Sequence, residues 1–243
     1  MRTLDLNCDL GEGAGHDAEL MPLVTSASIA CGAHAGDEAT MRATVALAQR
    51  HGVAIGAHPG FADRANFGRK EMLLSADALR HLVTEQVAAL ARLAPLRHVK
   101  PHGALYTLAA RDRGVADAVA EAVASFGKDL VLFALAGSEL VQAGRRCGLR
   151  VAEEAFADRT YRRDGTLTPR GDPGALIADE VAAVAQVLRL ARDGVVRATD
   201  GTAVSLTADT ICLHGDGPHA VAFARRLRSE LADAGIRLQA VST

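Results

Sequence analysis

Side chains that can carry chemistry cluster in this sequence at the ends of short apolar segments. Six segments run from a strand-like stretch into small and ionisable residues: Leu4–Glu12, Ile29–Asp37, Ala54–Gly60, Val99–Gly103, Phe156–Arg159 and Ile211–Asp216. Parallel strands of an α/β fold deliver the groups at their carboxyl ends to one rim, where ligands bind and react. The sequence therefore predicts one shared pocket built from these segments.

Two carboxylates, Asp9 and Glu12, follow the first segment, with Gly11 and Gly13 beside them. The glycines permit a tight turn and a close approach of the backbone to a ligand. Carboxylates placed there can act as a general base and a substrate-orienting group, or they can bind a cation. The competing interpretation is a capped loop at the surface. Asp216 follows the last segment and is a further candidate.

Four of the nine histidines stand at strand ends: His34, His58, His102 and His214. One such histidine is more often a structural residue, but four at four strand ends are hard to treat as independent accidents. Imidazole gains and loses protons near neutral pH, so it serves in acid–base catalysis and in ligand binding. We therefore place all four in the predicted pocket.

Lys100 and Arg159 are the cations of the predicted rim. Pro101 fixes the turn between Lys100 and His102, and so fixes the directions of both side chains. A lysine there can bind a phosphate or a carboxylate, or stabilise a developing oxyanion. Arg159 can form paired hydrogen bonds to either anion, although a surface pair with Asp158 is an equal alternative.

The same residue types also form an inventory of metal ligands, because three histidines and an aspartate can bind a divalent ion. The chain contains no HExxH spacing. A metal site therefore depends wholly on whether the fold brings separate strands together. The sequence leaves the presence of a divalent metal open.

Strand-like and helical segments alternate along the chain, which predicts parallel strands joined by right-handed crossovers. The predicted strands are Thr3–Cys8, Ala27–Cys31, Val53–Ala57, Arg97–Lys100, Leu130–Leu135, Arg150–Glu153 and Thr210–Leu213. The chain has 243 residues, which fits one (β/α)-barrel domain over residues 1–243 better than two small domains. Asp37 and Ser75 are predicted helix N-caps, and Asp200-Gly201 predicts a hairpin turn.

Composition excludes several classes of function. The net charge is −2 and the basic residues are dispersed, so there is no electrostatic footprint for nucleic acid. No apolar run reaches the roughly 18 residues that a membrane span needs. The four cysteines form no CxxC pair, and the amino terminus lacks the apolar core of a signal peptide, so we expect a reducing, cytoplasmic setting. GxxxxGK[ST] and GxSxG motifs are also absent.

Seven stretches form an ordered set along nearly the whole chain: Asp5–Gly13, Ile29–Asp37, Gly52–Pro59, Asn66–Arg69, His98–Tyr106, Phe156–Arg159 and Cys212–Asp216. Any one of them is a weak signal, whereas the ordered set is highly specific. Together they resemble the LamB/YcsF family. That resemblance implies an α/β fold, a distorted seven-stranded (β/α) TIM-like barrel of the glycoside hydrolase/deacetylase type.

The resemblance also implies a hydrolase that opens the lactam of 5-oxo-L-proline to give L-glutamate, coupled to ATP hydrolysis. It implies a polypeptide that works in a complex with B and C subunits. Because the chain has no recognisable ATP motif, we hypothesise that ATP is used on those partner subunits. Two alternatives stay open: a metal-dependent deacetylase acting on a sugar amide, and a binding or carrier subunit.

Residue roles follow from this implied reaction. We expect a carboxylate to activate water, two histidines to carry protons to the leaving ring nitrogen, and the cations to hold the substrate carboxylate or phosphate. The expected catalytic residues are Asp9 as first choice of base, Asp216 as second, His58 and His102. The expected substrate-binding residues are Glu12, His34, Lys100, Arg159 and His214.

Overall fold

A closed barrel of seven parallel strands forms the centre of the structure, a computed structural model that describes residues 2–215, 217 and 219–241. The strands of the chain are β1 (Thr3–Leu10), β2 (Ser26–Ala30), β3 (Ala54–His58), β4 (His98–Val99), β5 (Val131–Leu135), β6 (Arg150–Phe156), β7 (Val195–Arg197), β8 (Ala203–Ser205), β9 (Thr210–Leu213) and β10 (Arg237–Leu238). Strands β1 to β6 pair in sequence, and β9 pairs with both β6 and β1, which closes the barrel. The predicted seven-stranded α/β barrel is confirmed.

Helices cover the outside of the barrel: α1 (Asp17–Leu20), α2 (Glu38–His51), α3 (Ala76–Ala91), α4 (Gly103–Arg111), α5 (Arg113–Ala124), α6 (Glu139–Arg146), α7 (Glu180–Asp193) and α8 (Ala220–Asp233). The Asp37 side chain accepts a hydrogen bond from the Thr40 amide at 2.8 Å, which confirms it as the N-cap of α2. Ser75 caps α3 through the Ala78 amide. Within the described ranges, no helix has both the length and the apolar character of a membrane span.

Only β9 has both of its predicted bounds; the other six predicted strands differ at one or both ends, β4 and β6 among them. β4 is only two residues long, and β6 continues to Phe156, three residues beyond the predicted end. The predicted strand ended at Glu153, one residue before Glu154. The structure buries Glu154 completely inside the barrel, where it pairs with a cation. The hairpin predicted around Asp200-Gly201 is present as β7 and β8.

The barrel interior is polar along β1. Alternate residues of a strand share one face, and Asp5, Asn7 and Asp9 occupy the inward face of β1. Asn7 Nδ2 donates to Glu154 Oε1 at 2.9 Å, and Thr210 Oγ1 donates to Asp5 Oδ2 at 2.5 Å. The intervening apolar residues of β1 are buried in the core outside the barrel. The polar residues on the inward face of β1 thus extend from Asp5 to Asp9 at the rim.

Gly56 of β3 lies directly against the ring of His98 on β4, which a Cβ atom would strike. That ring is itself held, because it stacks on Phe133 at 4.1 Å and its Nε2 lies 3.2 Å from the Ser28 hydroxyl. We expect Gly56→Ala to lower the free energy of unfolding by about 1–3 kcal/mol, measured by urea denaturation. Adding His98→Ala should relieve the collision; an unchanged unfolding midpoint for Gly56→Ala would show that the contact is loose.

His98 should also make stability fall in acid. Burial lowers the pKa of His98 to about 3, whereas an unfolded histidine titrates near 6.5. The unfolded chain therefore binds a proton that the folded chain resists. The contribution of neutral His98 is complete above the unfolded pKa and is lost as the pH falls from there towards the folded value, by up to about 1.4 kcal/mol per pH unit.

Urea denaturation of His98→Gln at several pH values between about 7 and 5 checks this expectation. The variant should lose less stability on acidification than the wild-type chain does. His81→Gln is the matched control, since His81 is exposed on α3 and its removal should leave the pH dependence unchanged. Parallel pH profiles for His98→Gln and the wild type would contradict the prediction.

Candidate active site

A cavity of about 560 Å³ lies at the carboxyl ends of the barrel strands. Seven of the nine site residues predicted from the sequence form part of its wall: Asp9, Glu12, His58, Lys100, His102, Arg159 and His214. His34 is not part of the wall, and Asp216 lies outside the described residues. The fold thus gathers residues from five separate strand ends, as the alternation of strands and helices predicted.

Lys100 is surrounded by the protein's own acceptors. Its Nζ atom lies 2.9 Å from Asp9 Oδ1 and 3.0 Å from each of Glu154 Oε1, Asn7 Oδ1 and Cys212 Sγ. Burial alone would lower the pKa of Lys100, but the Asp9 and Glu154 carboxylates hold it well above its ordinary value. The ammonium is therefore charged, and its four contacts fix the inner end of the cavity.

Asp9 lies between two positive or ionisable partners. Its Oδ2 atom is 3.3 Å from His58 Nε2, and its other oxygen pairs with Lys100. Burial raises the pKa of Asp9, but the charges of His58 and Lys100 outweigh burial and hold it well below its usual range. The carboxylate is thus ionised at neutral pH and stands at the cavity wall.

Glu12 lies among three imidazoles. Its Oε1 atom is 3.0 Å from His34 Nε2, 3.3 Å from His102 Nδ1 and 3.7 Å from His58 Nε2. Burial raises the pKa of Glu12, but hydrogen bonds from His102 and His34 and the charge of His58 hold it well below its usual range. The competing interpretation of the sequence placed Asp9 and Glu12 in a capped surface loop. Their side chains are instead largely buried at the rim.

The three histidines beside Glu12 are packed as a unit. The rings of His34 and His102 stack at 3.7 Å with an angle of 2° between their planes, and His58 meets both edge-on. Burial lowers the pKa of His34 to about 4 and also lowers that of His102. Burial acts against the charged form of His58 as well, but Asp9 and Glu12 raise its pKa overall.

The loop after β3 holds these rings in place. Phe67 adopts a left-handed backbone conformation with φ of 55°, and its carbonyl oxygen accepts a hydrogen bond from His102 Nε2 at 2.8 Å. A Cβ atom on Gly68, which has φ of 62°, would lie 2.8 Å from the Cβ of His34. Glycine is therefore required at this point for the loop to pack against the imidazoles.

His214, which follows β9 at the cavity wall, forms a pair with Asp158. His214 Nδ1 lies 2.7 Å and 2.8 Å from the two Asp158 oxygens, so it donates its proton there and leaves Nε2 as the acceptor nitrogen. The His214 ring also stacks on Phe156 at 5.7 Å. Burial raises the pKa of Asp158, but His214 holds it below its ordinary value. The carboxylate therefore fixes the orientation of the imidazole.

Arg159 is oriented by the loop that follows β6. Its guanidinium donates to the carbonyl oxygens of Thr168 at 2.6 Å and Ala175 at 3.4 Å, and only 5% of the residue is exposed. The surface pair with Asp158 that the sequence allowed is not formed, since Asp158 pairs with His214. Four further arginines join Arg159 at the cavity wall: Arg69, Arg111, Arg162 and Arg170.

Two functional positions escaped the sequence analysis. From the sequence, Asp158 was considered only as a surface partner of Arg159, and Glu154 was placed in no site. The signal for Asp158 was present, because it directly follows a buried strand as the other rim residues do. Glu154 had no local signal, since only the closed barrel brings it to Lys100 and to Asn7, which is 147 positions away in the sequence.

The arrangement can carry out hydrolysis of an amide. An ionised carboxylate at Asp9 can orient and activate water, and the imidazole of His214, oriented by Asp158, can move a proton in the same cavity. The arginines can hold an anionic group of the substrate. These three elements face one cavity from different strands.

Comparisons with known proteins agree with this description. A profile of the LamB/YcsF family matches residues 4–243. The chain is 54% identical over 249 residues to the A subunit of 5-oxoprolinase from Geobacillus kaustophilus, covering 99% of this chain and 97% of that protein.

Solved structures also resemble this one. The lactam utilization protein from Thermus thermophilus superposes with a TM-score of 0.92 at 46% identity, covering 98% of this chain and 100% of that chain. A family 4 carbohydrate esterase from Streptomyces lividans superposes with a TM-score of 0.50 at 13% identity, covering 99% and 93% of the two chains. At that identity the esterase shows a shared fold alone, of the deacetylase type that was predicted.

Proposed function

The chain belongs to the LamB/YcsF family, and from that premise we propose that it is the lactam-opening subunit of an ATP-dependent 5-oxoprolinase. Its substrate would be 5-oxo-L-proline and its product L-glutamate. The observation that carries this proposal is the identity of about half of all residues, along nearly the full chain, with proteins named as the A subunit of 5-oxoprolinase. The carboxylates, imidazoles and arginines of one cavity support it.

ATP would activate the stable lactam before ring opening. Transfer of the γ-phosphoryl group to the lactam oxygen releases ADP and makes the ring carbon more electrophilic. Water adds to that carbon, the carbon–nitrogen bond breaks and the nitrogen takes up a proton. The resulting acyl phosphate is hydrolysed by a second water to L-glutamate and phosphate. Because the sequence has no P-loop, we assign the phosphoryl transfer to the B and C subunits of the complex.

Asp9 is our candidate for the group that receives the proton of the attacking water. His214 is our candidate for the acid at the ring nitrogen: Asp158 fixes its orientation, and its Nε2 can take up a proton from water and pass it to the leaving nitrogen. The assignment of proton transfer to His58 and His102 stays a prediction from the sequence. Their ring nitrogens already face carbonyl oxygens and each other, and this geometry favours His214.

Removing the imidazole of His214 should lower kcat of the assembled enzyme by roughly 10²–10⁴-fold, because the leaving nitrogen would lose its acid. Asp158→Asn should lower kcat less and shift its pH profile, since the amide keeps a polar contact to the ring without the charge. Steady-state glutamate formation over a pH series measures both effects. Wild-type rates for His214→Ala would contradict the assignment, and a loss confined to KM would assign His214 to binding alone.

Glutamate formation from 5-oxo-L-proline and ATP, with and without the partner subunits, tests the proposed function. The complete mixture should form glutamate and consume ATP in step, and the purified chain alone should turn over little ATP. Robust ATP hydrolysis by the chain alone with 5-oxo-L-proline would contradict the division of labour. Release of acetate from an N-acetylated sugar, without glutamate formation by the complex, would favour the deacetylase alternative instead.

A further inference from the structure

Two imidazoles of the site face each other through nitrogens that both carry lone pairs. His58 Nδ1 donates to the carbonyl oxygen of Lys100 at 2.7 Å, and His102 Nε2 donates to that of Phe67 at 2.8 Å. A carbonyl oxygen only accepts, so these outer nitrogens hold the proton of each neutral ring. In the neutral rings His58 Nε2 and His102 Nδ1 are therefore bare, and they lie 3.0 Å apart.

A carboxylate oxygen points to the same place. Glu12 Oε1 lies 3.3 Å from His102 Nδ1 and 3.7 Å from His58 Nε2. Lone pairs that face each other in a buried site repel. A buried polar atom that lacks a hydrogen-bond or charge partner also destabilises the folded protein. A cation between the three atoms removes the conflict. That cation is either a proton shared by the two rings or a metal ion.

We propose that Glu12, His58 and His102 bind a divalent transition-metal ion. Donor atoms of a tetrahedral site with bonds of about 2.0–2.2 Å lie roughly 3.4 Å apart. The separations of 3.0, 3.3 and 3.7 Å among the three donors lie on both sides of this value. Two imidazole nitrogens and one carboxylate oxygen suit zinc and its neighbours rather than magnesium or calcium.

The surroundings of the three donors have the form of a metal site. Ligating histidines commonly donate their second N–H to a backbone carbonyl, which fixes the tautomer and the ring orientation. His58 and His102 both do so. His34 Nε2 lies 3.0 Å from Glu12 Oε1 and can hold the carboxylate in position, and its Nδ1 has no hydrogen-bond partner among the described residues.

The proposed ion would have an open position. Glu12, His58 and His102 all form part of the cavity wall, whereas His34 does not. Three protein ligands and one position open to a cavity are typical of catalytic rather than structural zinc sites. The inference rests on the ring geometry alone and holds whichever substrate the cavity takes.

Metal binding by the full untagged chain tests the proposal. The protein is stripped with a chelator, dialysed, and titrated with Zn²⁺ and separately with Co²⁺, with bound metal measured by elemental analysis and the Co²⁺ visible spectrum. The wild-type chain should bind one equivalent of each ion. His58→Ala and Glu12→Gln should each lose stoichiometric binding, and the Co²⁺ bands should shift or vanish.

Two controls keep the test decisive. His81→Ala removes an exposed histidine of α3 and should bind metal as the wild type does. Circular dichroism shows whether each variant is folded, and Glu12→Gln is nearly isosteric, so it serves if His58→Ala does not fold. Substoichiometric binding by the wild type would mean that a shared proton alone resolves the contact. That result, or full binding by Glu12→Gln and His58→Ala, overturns the proposal.

Discussion

Replacing Asp9 by asparagine should lower the rate of glutamate formation by the assembled enzyme by roughly 10²–10⁴-fold. The amide cannot accept the proton of the attacking water. It also removes one of the two carboxylates that pair with Lys100, at 2.9 Å. We expect the loss to appear in kcat, because the shape of the cavity changes little. Steady-state kinetics of the reconstituted complex measure the effect.

The matched control for Asp9→Asn is the same substitution at Asp129, which lies exposed between α5 and β5. It removes the same charge from the chain but should leave kcat unchanged. Thermal unfolding of both variants separates a loss of catalysis from a loss of structure. Near-normal turnover by a folded Asp9→Asn chain would remove Asp9 from the mechanism. It would also favour a binding or carrier subunit over an enzyme.

Removing the charge of Lys100 should have the largest effect on stability. In Lys100→Met, the Asp9 and Glu154 carboxylates lose the cation that lies 2.9 and 3.0 Å from them inside the barrel. Breaking a buried ion pair by removing one partner typically costs about 3–5 kcal/mol, because the remaining charge is left uncompensated. We expect a loss of this size in the free energy of unfolding from urea denaturation.

A second substitution separates the charge from the packing. Glu154→Gln in the Lys100→Met background removes one uncompensated carboxylate and should restore part of the lost stability. Glu154→Gln alone should be milder, because Lys100 keeps Asp9 as its partner. If Lys100→Met unfolds with the wild-type midpoint, or if the double variant is as unstable as the sum of the single ones, the charges do not act together.

Most of the barrel and of its rim could be predicted from the sequence because both are local patterns. A strand such as the predicted Ala27–Cys31 is recognised by its own small and apolar residues, and a rim residue such as His58 is recognised by directly following a predicted strand. The prediction was weaker where charged side chains point into the barrel. Glu154 belongs to β6, but a charged residue is not expected inside a buried strand from the sequence alone. The structure explains its position, because Lys100 Nζ lies 3.0 Å from its carboxylate.

The sequence by itself therefore determined which residue types reach the carboxyl end of the barrel, since that depends only on where each strand ends. The tertiary structure decided which of them touch. Lys100, expected to bind the substrate, pairs with Asp9 and Glu154, and His214 pairs with Asp158, which is 56 positions away. Closing a parallel barrel sets these pairs, because it brings strand ends together that are far apart along the chain.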